Sequence, residues 1–270
     1  SPGYPDFIGG VISAMQASDT AAIVINATAG VELNTRRVFS EAKKAGLGRI
    51  VVLSKMDGEN IEFGKLMDSI RSVFGSEAAL FNVPIGHGAN FKGVVDVLKL
   101  TEAEGALVDP NELHEELIET IVSVDDSAME RYFEGELPSD EEMAKLIAKG
   151  IKELGMIPIF CVSAKTGVGL KELMDALAAY ALPSNAITRT ATNADGESVE
   201  LNSDPEGPIV AKVFKTRIDP FVQKINYLRV FSGTLTTGMT VPLVGARKGF
   251  KIAQLFEVQA DELTPVDEAT

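Results

Sequence analysis

The chain has 270 residues, 45% of them hydrophobic and 24% charged, the balance of an ordinary globular protein and enough for one large domain or two of medium size. With 39 acidic against 25 basic residues the net charge is −14, so the field of the whole molecule repels nucleic acid, DNA is not an expected partner, and any RNA contact has to be local. A lone Cys161 excludes an internal disulfide, two histidines (His87 and His114) are too few for structural zinc, and no apolar run approaches the ~20 residues of a membrane helix, which together predict a cytoplasmic setting without a membrane partner.

Residues 1–7 are rich in chain breakers, and Ile8, Val11, Ile12 and Met15 then mark one apolar helical stripe. Residues 21–27 form a short continuous apolar run, as expected of a strand buried on both faces, and Gly30 ends it. The spacing predicts a helix over 32–45, with Gly46 and Gly48 beyond its end. Residues 49–55 and 157–163 repeat the buried-strand pattern, and a helix over 170–182 follows the second. Strand and helix alternating in this order predict right-handed crossovers and a parallel sheet. Ligands of such sheets bind at the carboxyl ends of the strands, here the loops Met56-Asp57-Gly58 and Ala164-Lys165-Thr166-Gly167.

More chain separates those two loops than the ~30 residues of one crossover unit, so an α+β insertion is expected over about 78–156. Residues 82–97 read as strands of a small sheet, and acidic helices are expected over 111–124, 127–134 and 139–154, with their charge on a solvated face. Residues 184–207 are polar and short in side chain and read as a linker. From 208 the pattern becomes period two, over 209–215, 224–231, 238–244 and 250–256, with Gly or Pro in each gap. That predicts a small, partial β-barrel over 208–270. Cys161, Phe7, Phe214, Phe231 and Phe256 fall at apolar positions and read as core.

Guanine differs from adenine in offering two donors on one edge, a ring N–H and an exocyclic amine, which a fixed carboxylate accepts together. Asp57 stands just beyond a buried strand, where it can do this. Lys55, two residues earlier, can lay its aliphatic stem along the base. The loop Ser163-Ala164-Lys165 can offer a backbone N–H to the carbonyl oxygen of the same ring. Either motif alone is common by chance; the signal is their order behind successive buried strands. Lys212, Lys215, Arg217, Lys224 and Arg229 alternate with apolar residues and form either an RNA-facing side or a solvated one.

Along almost its whole length the sequence resembles elongation factor G, a translational GTPase. The resemblance rests on Pro2-Gly3, Asp6-Phe7, Ala29-Gly30-Val31, Lys55-Met56-Asp57, Phe91-Lys92-Gly93-Val94-Val95-Asp96, Asp219-Pro220-Phe221 and Arg229-Val230-Phe231-Ser232-Gly233. It implies that residues 1–183 are the C-terminal part of a P-loop GTPase domain and 208–270 a truncated second domain. Gly3 becomes the switch II glycine facing the γ-phosphate, Ser54, Lys55 and Asp57 the guanine motif, and Ser163, Ala164 and Lys165 the last base-contacting loop. Implied partners are guanine nucleotide (GTP or GDP with Mg²⁺ in the whole protein) and the ribosome, with the insertion on a stalk protein and the barrel on small-subunit RNA.

Three departures from the family pattern set further expectations. No G-x-x-x-x-G-K-[ST] phosphate loop occurs in the 270 residues, so this chain is expected to hold nucleotide weakly, keep no tightly bound cofactor and not hydrolyse GTP. Ser1 and Tyr4 stand where the family keeps threonine and the histidine that orients the attacking water, which makes Tyr4 the candidate catalytic position and predicts slow hydrolysis. Ser54 replaces the asparagine of the guanine motif. Two other functions compete with a translocation-type GTPase: a non-hydrolysing ribosome-binding module, and a GTPase of the ribosomal protection or release type.

Overall fold

The computed structural model describes residues 3–100, 104–193, 195–219, 223–260 and 262–270. Pro2, Pro220 and Phe221, which carry part of the resemblance, and Ser1, which departs from the family pattern, lie outside the described residues. The chain divides into two compact units, Ser1–Ala186 and Ile187–Thr270.

In the first unit a 3₁₀ turn at Pro5–Phe7 leads into α1 (Ile8–Met15), followed by β1 (Thr20–Asn26), α2 (Leu33–Lys44), β2 (Gly48–Ser54) and α3 (Phe63–Phe74). Three short strands come next, β3 (Ala78–Leu80), β4 (Asn82–Ile85) and β5 (Gly93–Asp96), then the helices α4 (Pro110–Val122), α5 (Asp126–Phe133) and α6 (Asp140–Lys152). The unit closes with β6 (Ile157–Cys161) and α7 (Leu170–Tyr180). The acidic helices begin where the sequence supplies caps. Asp109, Asp125 and Ser139 each accept a backbone N–H in the first turn, from Asn111, Ala128 and Glu142.

Four strands form one sheet in the order β1-β2-β6-β3, every neighbouring pair parallel. Leu53 lies opposite Cys161, and Asn26 opposite Ser54, so the carboxyl ends of β1, β2 and β6 stand side by side. Apolar residues of β2 and β6 are buried throughout, and Ile25, Leu53 and Ile159 pack with Leu66, Ile70 and Phe74 of α3 in one core. β4 and β5 make a separate antiparallel pair. Asn82 ties that pair to the sheet: its wholly buried amide accepts from Cys161 N and donates to Cys161 O.

Several expectations need correcting. β1 is not buried on both faces: Ile23 and Ile25 share a buried face, while Val24, on the opposite face of the strand, is 64% exposed. β3, which falls inside the 78–156 segment expected to be insertion, is the fourth strand of the main sheet. α3 is an addition to the expected elements, although Phe63, Leu66, Met67, Ile70 and Phe74 recur at helical spacing. Phe7 is half exposed rather than core.

In the second unit, β7 (Arg189–Thr192) and β8 (Ser198–Leu201) form an antiparallel hairpin inside the stretch expected to be a linker. Here β-prone Thr and Val flank Asn193, Asp195 and Gly196, a hairpin signal the polar composition hid. β9 (Val210–Asp219) and β10 (Gln223–Ser232) make a long antiparallel pair. Short strands follow: β11 (Leu235–Thr236), β12 (Thr240–Val241), β13 (Phe250–Lys251), β14 (Leu255–Gln259), β15 (Glu262–Val266) and β16 (Glu268–Ala269), paired as β11 with β16, β12 with β13, and β14 with β15. The expected strand over 238–244 shrinks to β12 because Pro242 brings no N–H to a ladder. A small core gathers Leu235, Ile252 and Leu255. Phe231 sits half-buried between two guanidinium groups, Arg189 at 5.2 Å and Arg229 at 5.1 Å from its ring.

Candidate functional site: the loops beyond β2 and β6

The candidate site is built on two chain reversals at the ends of neighbouring parallel strands. Beyond β2, Lys55 adopts a left-handed backbone (φ 63°), and Gly58 N donates to Lys55 O at 2.8 Å to close a tight turn. Met56, between Lys55 and Asp57, is fully buried in the sheet's core, so its side chain anchors the turn from below. Its backbone N–H donates to Val162 O at 3.2 Å, fastening the loop to the extension of β6.

Beyond β6, Gly167 N donates to Ser163 O and Ser163 N to Val168 O, both at 2.9 Å. The chain then re-enters α7 through Gly169, whose φ of +77° leaves a Cβ only 2.4 Å from Cys161 O; glycine is required there for backbone and space alike.

The two loops meet through one side-chain contact. Ser163 Oγ donates to Asp57 Oδ1 at 2.6 Å and accepts from Thr166 N at 3.2 Å. Ser163 is wholly buried, so its hydroxyl has these two partners and no rotational freedom to leave them. The Ser163 hydroxyl, with Lys165 and Lys55 nearby, holds the Asp57 carboxyl below its ordinary range. Asp57 is therefore ionised at neutral pH and offers acceptor lone pairs beyond the one Ser163 uses. Lys55, Ala164 and Lys165 are exposed around it.

Sequence reasoning thus names the members of this cluster and misses its supports. Asn26, in register with Ser54, accepts from Thr28 N at 3.1 Å and Thr28 Oγ1 at 2.8 Å, forming an Asx turn at the end of β1. Thr28 in turn flanks the loop after β2: a Cβ on Gly58 would fall 2.5 Å from Thr28 Cγ2. On the other flank, Gly88 N donates to Met56 O at 2.9 Å. The parallel register was the available signal for Asn26; for Gly88 the sequence holds none. Ser54 is half-buried, and its carbonyl accepts from Ala27 N at 2.9 Å.

Gly3 and Tyr4 belong to a different contact. The Gly3 carbonyl accepts from Asn34 Nδ2 of α2, and Tyr4 O accepts from Phe7 N, with the Tyr4 side chain 74% exposed. Among the described residues no three His, Cys, Asp or Glu side chains gather into a metal-holding group. The Asp57 carboxylate and the exposed loop after Ser163 are chemically suited to a purine edge. Cys161 is buried beneath the site, and burial pushes its thiol far above the usual range, which makes it a core residue without nucleophilic character. His114 is half-buried with Nδ1 2.7 Å from Val97 O, and His87 is exposed in the turn before Gly88.

Residues 1–183 match the family described as elongation factor Tu GTP binding domain, and residues 208–270 match elongation factor G domain 2. A relative named elongation factor G, from Thermotoga neapolitana, is 31% identical over 286 residues, covering 99% of this chain and 41% of its own length. A crystal structure of a protein from Thermus thermophilus superimposes with a TM-score of 0.78 at 26% identity, over 100% of this chain and 40% of that one. The chain belongs to the elongation factor family of GTP-binding proteins. The second matched domain and the relative's name are those of elongation factor G, and the chain spans about two-fifths of that relative's length.

Proposed function

We propose that this chain supplies the guanine-reading half of an elongation factor G-like GTPase that works on the ribosome. The observation that carries the reading is the 2.6 Å bond from Ser163 to Asp57, which fixes an ionised carboxylate at the adjoining carboxyl ends of β2 and β6. One oxygen of Asp57 is oriented by Ser163, and the free lone pairs accept the ring N–H and exocyclic amine of guanine. Lys55 covers one face of the base, and the backbone of Ala164 or Lys165 donates to its carbonyl oxygen. Ser54 supports the turn in place of the usual asparagine.

In this reading Gly3 faces the terminal phosphate and Tyr4 occupies the water-orienting position. A phenol offers one hydrogen bond and does not become a cation beside the developing charge, so hydrolysis is slow even where the site is complete. Mg²⁺ bound with GTP would supply charge neutralisation at the phosphates, while Lys55, Asp57 and the Ser163–Lys165 loop would contribute the base contacts. Taken alone the 270 residues bind guanine nucleotide weakly and do not hydrolyse it. The acidic helices α4 to α6 are the surface for a ribosomal stalk protein. Lys212, Lys215 and Arg217 of β9, exposed along the strand, with Lys215 Nζ 5.3 Å from the Tyr227 ring, form a face for small-subunit RNA.

The test is base preference. Titration of the labelled chain with GDP and XDP, followed by nuclear magnetic resonance, is expected to favour GDP in the wild type and XDP after Asp57→Asn, because the amide donates where the carboxylate accepts. Equal response to both nucleotides in both proteins sinks the proposal.

A further inference from the structure

The turn that holds Asp57 is supported from outside the nucleotide-binding sheet. Between β4 and β5 the chain folds back at Gly86, His87 and a 3₁₀ turn, Gly88–Asn90. Gly88 N donates to Met56 O at 2.9 Å, while Met56 N donates to Val162 O at 3.2 Å. Both peptide groups flanking Met56 are therefore fixed, one by the β6 extension and one by the β4–β5 turn. Asp57 follows directly on the second of them.

The approach at Gly88 is close. Its φ is +61°, and a Cβ built there would lie 3.2 Å from Gly58 O and 4.0 Å from Glu59 Cα. The turn is itself drawn tight: Gly86 also has positive φ, Lys92 N donates to Ile85 O at 3.1 Å, and Gly86 N donates to Gly105 O at 3.1 Å. Phe91, next after the turn, is buried in the same core as Met56. The β4–β5 turn and the base loop thus share one hydrogen bond, one glycine-sized gap and one hydrophobic cluster. They cannot move independently without opening all three.

We propose that Gly88 is a positioning residue for guanine recognition, setting the height of Asp57 above the sheet, so that displacement of the β4–β5 turn weakens the reading of the guanine exocyclic amine. This rests on the assignment of Asp57 as the guanine acceptor.

Inosine nucleotides separate this role from a merely structural one. IDP keeps the ring N–H but lacks the exocyclic amine, so it uses one of the two bonds to Asp57. A charge-assisted hydrogen bond corresponds to about tenfold in affinity or more, and the wild-type chain is expected to prefer GDP over IDP by about that factor in an NMR titration. Gly88→Ala pushes Gly58 O outward and is expected to bring the ratio below about threefold, chiefly by weakening GDP. Gly88→Asn makes the same push while accepting positive φ more readily, and keeps the test available if the alanine variant does not fold. Gly46→Ala, in the turn between α2 and β2, is the control: it has comparable positive φ (+68°), but its Cβ meets nothing within 4 Å. It should lower thermal stability and leave the GDP:IDP ratio at the wild-type value.

A wild-type ratio with either Gly88 variant overturns the inference while leaving the base site intact. A wild-type chain that does not distinguish GDP from IDP, or from ADP, overturns the base-site assignment itself and this inference with it.

Discussion

Replacing Ser163 with alanine deletes one oxygen and leaves every backbone element of the site in place, so it isolates the contact on which the site depends. The hydroxyl makes two hydrogen bonds, to Asp57 Oδ1 at 2.6 Å and from Thr166 N at 3.2 Å. A buried donor pair of this kind contributes ~0.5–1.5 kcal/mol per bond, but Thr166 is exposed and water can replace its lost partner. The hydroxyl's loss therefore costs about 1 kcal/mol, or roughly 2–4 °C in the melting temperature of a unit this size. The larger effect is on ionisation. The Asp57 carboxyl lies below its ordinary range chiefly because Ser163 donates to it, so its stabilising contribution is fully present above the unfolded value of ~3.9 and fades as pH falls through the lower folded value. In Ser163→Ala the folded value rises toward the unfolded one, and the acid-side loss of stability begins at higher pH. Carbon-detected titration of the Asp57 carboxyl in both proteins, with melting curves at about pH 7 and pH 4, measures both effects. An Asp57 titration that does not move in the variant refutes the account, since no other neighbour is assigned the leading part.

Ile159→Ala empties a fully buried position in the middle of β6 and should cost about 2–5 kcal/mol, read from the urea midpoint of the first unit. Gly233→Ala meets both a φ of +74° and a Cβ 2.8 Å from Ile209 Cα, so the second unit should lose about 2–4 kcal/mol while the first keeps its own unfolding transition. Tyr4→His, placed in a protein with a complete phosphate site, should raise single-turnover GTP hydrolysis on ribosomes by about tenfold or more, on the order expected for a positioned acid–base group. Removing the amide of Asn34 by Asn34→Ala should increase hydrogen exchange around Gly3, whose carbonyl it holds, without changing the GDP:IDP ratio.

What the sequence made legible follows from which interactions are local. The runs that became β1, β2 and β6 declare themselves because parallel strands covered by helices are apolar along their length, and the loops behind two of them hold Lys55, Asp57 and Ser163 where strand order alone puts them. The capped acidic helices were legible too, since Asp109, Asp125 and Ser139 act within one turn of their own position. Non-local contacts were not. β3 is three residues long and joins the sheet only through β6, almost eighty residues later in the chain. Asn26 and Gly88 support Asp57 from separate elements, and nothing in their own neighbourhoods marks them for that task. The β7–β8 hairpin escaped for a different reason: it exposes most of both strands, so no apolar alternation announces it.

The serine at position 54 is where these two kinds of information meet. An asparagine there would reach sideways from the end of β2 with two directed bonds, and Ser54 has one short hydroxyl. The turn it leads into is nonetheless held on three sides, each time from a residue outside the motif. Asn26, directly opposite in register, folds Thr28 against Gly58; Val162 O receives Met56 N; and Gly88 N closes on Met56 O. A loop fixed by backbone bonds from two neighbours needs less from the side chain at its start. The loop is thus held in part by the β4–β5 turn, and Asn82 of β4 joins that pair to Cys161 beneath the sheet. Under the proposed function, the joint between the β4–β5 pair and β6, rather than the side chain at position 54, is what holds Asp57 in place to meet guanine.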